Sequence, residues 1–261
     1  ACVALGSSAA TAADWTGTIS TDWNTPGNWS GGTVPTGENA VVNNTSGNIA
    51  TITADLAATP NDIVATDGGR IDHIAGTAAT GGGSWMFVGQ DSTLSIYNLA
   101  DTTALGGGIS GYGQGSGTVN ATGNFNLAAF GGDRVGTMNM NTTGALNVTG
   151  AFRIGNDGGS VGVMNLESGA VVVSNINTFA GDENNIGHGG GVATFNISGG
   201  SFDASRNFRV GNEGGTGTVT ITGGSLTIGG TDDIFIGRDR GTGVVNQSGG
   251  VVDFNHNTFI G

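Results

Sequence analysis

The chain has 261 residues, 20 acidic side chains against seven basic ones (all arginine), and a formal net charge of −13. That balance leaves no basic patch to track phosphates, so it argues against nucleic acid and anionic lipid as partners. No apolar run reaches 18 residues, so no membrane insertion is expected. A lone cysteine, Cys2, excludes an internal disulfide and reads as a small hydrophobe.

In chain order, residues 1–13 (ACVALGSSAATAA) are small, apolar and uncharged. They read as an apolar N-terminal arm or as the end of a secretory signal, with an A-x-A site at Ala10-Thr11-Ala12. Residues 14–112 read as irregular solenoid turns and a cap. Within them 49–53 is expected as a first strand of a turn, 84–89 as a third strand and 93–96 as the next first strand, before a long loop at about 97–112.

Residues 113–261 carry a regular repeat. Its first strand alternates with period two, the mark of a strand with one buried face. The inward residue falls at Val119, Met138, Met164, Phe195, Val219 and Val245, spacings of 19 to 31 residues. A Gly-rich corner follows, then a second strand (Phe125, Leu146, Val171, Phe202, Leu226, Val252). A third strand closes on Ile154, Ile186, Val210, Ile236 or Ile260 followed by Gly, a close that the first copy (Ala128-Ala129-Phe130) lacks. A unit this short must stack on its neighbours to bury its apolar face. The expected fold is all-β, a right-handed parallel β-helix with three short strands per turn in three sheets. No helix is expected outside the N-terminal segment.

Residues 14–44 read W-x-G, W, then NWSGGTVP before an alternating strand. This pattern, with the later G-x-G-T-V copies, resembles secreted bacterial β-solenoids, namely autotransporter (type V secretion) passengers and PEP-CTERM-associated repeat proteins. The resemblance covers 14–261. It implies an exported bacterial β-helix, secreted or at the cell surface, and no particular reaction.

No acid–base constellation stands out among the carboxylates, and the chain is not read as an enzyme. Asp203 and Asp253, two turns apart on outward positions, are the pair a polysaccharide-active enzyme would use. No cofactor is expected. The segments 156–159, 181–185, 212–215 and 231–233 are read as one repeated Gly/Asp-rich corner. Hard oxygen ligands there would suit Ca2+, but Asx and Gly turn chemistry explains the same residues. His73, His188 and His256 lack ligand spacing and read as surface residues. Asn120, Asn139, Asn165, Asn196 and Asn246 are expected to form an outward amide ladder, with binding of an extracellular glycan as the alternative.

Phe87, Phe235 and Phe259 are expected outward on the third strand, where two equivalent positions are Arg153 and Arg209. The last copy is followed by no polar cap, so its strand edges are a template for another chain. The leading expectation is therefore a structural protein stacking head to tail with itself into an extracellular filament. Its candidate subunit contacts are Val3, Leu5, Trp15, Trp23, Trp29, Phe235, Phe259 and Ile260. A stalk or adhesin domain of a larger surface protein is the alternative.

Overall fold

The computed structural model of the chain describes residues 12–43, 48–90, 95–99, 115–130, 132–174, 183–230 and 232–261. Every named strand pairs parallel to its neighbours, and the strands stack rung on rung as a parallel β-helix. Among the described residues the one helical element is a 3-10 turn at Pro26–Asn28.

Three inward columns run the length of the solenoid. First strands align Ala50, Ile71, Tyr97, Met138, Met164, Phe195, Val219 and Val245. Second strands align Ala78, Val119, Leu146, Val171, Phe202, Leu226 and Val252. Third strands align Val42, Ala65, Val88, Leu127, Ile154, Ile186, Val210, Ile236 and Ile260. Burying these columns against one another is the main source of stability. Aromatic pairs such as Phe125–Phe152 (5.2 Å, stacked) and Phe195–Phe202 (5.3 Å, edge-on) tie rungs and sheets together.

These columns correct the repeat in three ways. Val119 belongs to the second strand, because it pairs with Ala78 and Leu146, and Phe125 belongs to the third, because it pairs with Met86 and Phe152. The first-strand partner of Met138 is Tyr97, so that rung is 41 residues long and rungs range from 21 to 41. Each strand alternates alike, so periodicity alone does not say which side of the solenoid a strand occupies. Finally, hydrogen bonding yields two sheets, of ten and thirteen strands. Val135–Val148 and Val161–Val173 each run unbroken through the Gly corner, which fuses first and second strands into one bent sheet. The boundary between 14–112 and 113–261 is not a break in the stack, since Tyr97 pairs directly with Met138 across it.

The third-strand close has a steric origin. Gly89, Ala128, Gly155, Gly187, Gly211 and Gly237 all have positive φ, between 52° and 76°. A Cβ on Gly155, Gly187 or Gly211 would lie 2.0–2.1 Å from a carbonyl oxygen of the strand at 192, 216 or 242. Ala128 is the same position filled by alanine, so the first copy does close, on Leu127-Ala128. A tight turn follows in which Gly69, Gly191, Gly215 and Gly241 donate to the carbonyls of Thr66, His188, Asn212 and Arg238 at 2.7–2.9 Å. The two central residues of each have positive φ, which is the geometry of a type I′ turn.

The N-terminal end of the stack is closed. Ala12–Asp14 pairs with Asn39–Val42, and Asp22 bridges to Thr51, so residues 12–30 form an irregular last layer on the sheets. Trp15, Trp23 and Trp29 fill it, with ring centroids 4.7–6.3 Å apart. The chain is held over them by the buried Asn28. Its Oδ1 accepts from the N–H of Ile19 and Ser20 (2.9 Å each), and its Nδ2 donates to Ser20 Oγ (3.0 Å) and the Asp22 carbonyl (2.8 Å).

Candidate functional site

The residues expected to contact another subunit fall into separate places. Val3 and Leu5 lie outside the described residues. Trp15, Trp23 and Trp29 are buried in their own chain, where the Trp15 and Trp29 indoles donate to the carbonyls of Asn48 and Trp23 (2.8 Å each). The rings therefore seal the core and present no face to a second molecule. Phe259 and Ile260 lie on the rung formed by Thr242–Gln247, Val251–Phe254 and Thr258–Ile260, and Phe235, on the preceding rung, pairs with Phe259. There Phe259 is 49 % and Ile260 79 % exposed, and Val245, Val252 and Phe254 continue the core while only partly covered. Among the described residues these three strands pair on one side only.

The outer side of the ten-stranded sheet carries an aromatic and guanidinium strip. Phe87, Asn126, Arg153, Asn185, Arg209, Phe235 and Phe259 are in register on successive rungs. Phe130 stacks on Trp85 (5.6 Å) and lies 5.3 Å from the Arg153 guanidinium. Phe235 stacks on Phe259 (5.3 Å) beneath Arg238 (4.5 Å). Arg209 pairs with Glu183. Burial, and next the charge of Arg238, lower the Arg209 guanidinium from its usual range.

The first-strand face carries the amide ladder. Asn98 donates to Asp72 Oδ1 (2.8 Å), Asn139 to Asn98 (2.9 Å), Asn165 to Asn139 (2.8 Å) and Asn196 to Asn165 (2.9 Å). A carboxylate only accepts, so Asn98 must offer its amide N–H to Asp72, and every amide above it is then forced the same way round. Arg70 Nε holds the Asp72 oxygen at 2.8 Å. Asn120 stands apart, accepting from Asn147 (2.8 Å) on the second strand.

The remaining candidates do not assemble into a chemical site. Asp203 and Asp253 occupy one outward column with Thr227 between them, and neither makes a hydrogen bond or ion pair among the described residues. Residues 156–159 and 212–215 share the corner after the third strand, whereas 183–185 and 232–233 sit at the corner before it, so they are not one repeated corner. At the former, Asp157 and Glu213 take positive φ as turn residues. Among the described residues no group of three or more His, Cys, Asp or Glu side chains is placed to hold a metal ion.

Two of the three histidines depart from a surface reading. His188 is half-buried and takes an N–H from Asn212 (3.0 Å). His73 is fully buried, its ring nitrogens 2.9 Å from the Tyr97 hydroxyl and the Gly76 carbonyl. The carbonyl only accepts, so Nε2 carries the proton and Nδ1 accepts from Tyr97. Burial pushes the imidazole down to about 4 and the Tyr97 phenol up. Membership of the first strand column places Tyr97 and its neighbour His73 inside. The broken repeat before residue 113 hid that membership from the sequence.

No protein-family model matches the chain, and neither the curated proteins nor the solved structures contain a match to it.

Proposed function

We propose that this chain is a structural β-solenoid of an extracellular surface, a rigid rod that assembles by stacking on the rung at 242–260. The observation that carries this is the uninterrupted stack itself: parallel rungs pair one on the next through a single continuous apolar core, an architecture that a further rung extends without change. The partner assigned to the 242–260 rung is a second copy of the chain. Its polar cap layer, with Ile19 exposed, would sit on Val245, Val252 and Phe254 as a heterologous contact that does not close and so gives a fibre. The resemblance of 14–44 and of the repeat to secreted bacterial solenoids supports the extracellular setting.

Negative-stain microscopy and light scattering of purified 1–261 test the proposal. Fibres are expected, shortened or abolished by Val252→Asp. Strictly monomeric rods at high protein concentration overturn stacking. That result would favour the second reading, a stalk or adhesin domain, for which the Trp85–Phe130 and Phe235–Phe259 strip is a candidate glycan-binding surface.

A further inference from the structure

The first-strand face has a property that neither stacking nor folding requires. On five successive rungs its outward positions read Val135, Thr137, Asn139; Val161, Val163, Asn165; Val192, Thr194, Asn196; Thr216, Thr218, Thr220; and Thr242, Val244, Asn246. All fifteen are Val, Thr or Asn, and none is charged, on a chain whose net charge is −13. Across these positions the rungs pair without a register shift. The face is open to solvent: Val161, Val192 and Val244 are 39 %, 43 % and 39 % exposed. Among the described residues, the hydroxyls of Thr137, Thr194, Thr216, Thr218, Thr220 and Thr242 have no hydrogen-bond partner. β-branched side chains are stiff at χ1, so the methyl and hydroxyl groups form a fixed two-dimensional array.

Three kinds of occupant fit a neutral periodic face, and magnitudes separate them. Five rungs about 4.8 Å apart and five residues at about 3.3 Å each give a patch of roughly 400 Å². A specific protein–protein interface needs about 800 Å² per partner, so a second copy is not held here at ordinary concentration. Proteins grip sugar rings with aromatic faces, and this surface has none. The remaining occupant is itself a neutral hydrogen-bonded lattice.

Tetrahedral water joined by O–H···O bonds of about 2.75 Å repeats its oxygens at about 4.5 Å in one direction and about 7.3 Å in another. The protein array repeats at about 4.8 Å between rungs and about 6.6 Å between alternate residues of a strand. The rung mismatch accumulates to roughly 1 Å over five rungs, less than half a water diameter. Charged groups, which a water lattice does not accommodate, are absent from the array.

We propose that the Val/Thr/Asn face of the first strands binds crystalline water, making the chain an ice-binding protein. The threonine hydroxyls take lattice positions in the bound layer, while the valine and threonine methyls exclude competing mobile water. This does not depend on whether the 242–260 rung stacks on another copy.

The test is partition of purified 1–261 into a slowly grown ice front, together with inhibition of ice recrystallisation. The expected result is several-fold enrichment in the ice fraction over a soluble control protein. Thr194→Lys/Thr218→Lys should reduce enrichment at least tenfold. Val161→Lys serves as a second face variant, and Asp203→Lys, exposed on the second-strand limb of the bent sheet, should leave enrichment unchanged. Circular dichroism should show all of them folded. Exclusion of the unmodified chain from ice overturns the proposal. So does retention of enrichment in both face variants, or binding to microcrystalline cellulose or chitin that the face variants abolish while ice binding is absent. A dimer that the face variants dissociate would also overturn it, assigning the surface to a second copy.

Discussion

Acidification should destabilise this rod through a single buried imidazole. His73 is neutral in the fold because burial lowers it from 6.5 to about 4, and its Nδ1 must stay unprotonated to accept from the Tyr97 hydroxyl. The unfolded chain binds this proton at about 6.5, so below that pH the unfolded state gains protons that the folded state refuses. Stability is full above about pH 6.5, falls as pH drops, and levels off once the folded-state value near 4 is passed. A gap of about 2.5 units at 1.36 kcal/mol each is worth roughly 3 kcal/mol.

The Asp72 carboxylate lies next door in sequence, so the effect must be isolated. Urea unfolding of the parent and of a His73→Phe/Tyr97→Phe variant, from pH 7.5 to 4, gives two curves whose difference belongs to this pair. That difference should change by about 3 kcal/mol over the range. Titration of His73 by NMR gives the folded-state value directly. A midpoint near 6.5, or two parallel stability curves, would refute the reasoning.

Other substitutions report on other parts of the stack. Gly211→Ala combines positive φ with a Cβ 2.0 Å from the Thr242 carbonyl and should cost about 2–4 kcal/mol in urea unfolding, whereas Ala128→Gly, at the equivalent position, should be neutral or stabilising by up to about 1 kcal/mol. Asn165→Leu leaves Asn139 without a donor and Asn196 without an acceptor, and should cost about 1–3 kcal/mol. Trp29→Ala opens the N-terminal layer at a cost of about 3–5 kcal/mol, read as a red-shifted fluorescence spectrum and faster hydrogen exchange at 12–43 than at 183–230. Asp72→Asn removes the group that orients the ladder and should double the side-chain amide NMR signals of Asn98 and Asn139.

The stacked fold was legible because inward residues recur in phase: Met138, Met164, Phe195, Val219 and Val245 pair as read. The amide ladder was legible for the same reason at Asn139, Asn165 and Asn196, while Asn120 lies on the second strand and Thr220 separates Asn246 from Asn196. The phase of Val119 and Phe125 was not, because a second strand and a first strand share one pattern and only the partner on the next rung tells them apart. The tryptophans read as candidate subunit contacts because sequence gives their number and spacing but not that Asn28 folds the chain back over them. The Val/Thr/Asn face was present in the sequence of five copies. Its meaning lies in the columns at right angles to the chain, which appear only when the register is known.

The amide ladder has one more consequence. Each asparagine has two orientations, yet its choice is dictated by the neighbour below, and the lowest is dictated by a carboxylate. The column thus resembles a row of spins pinned at one boundary. A single reversed amide sets two oxygens face to face on one side and two nitrogens on the other, and no local adjustment removes both faults. Orientation laid down at Asp72 is therefore inherited as far as Asn196, so information crosses four rungs through contacts that never reach beyond the next one.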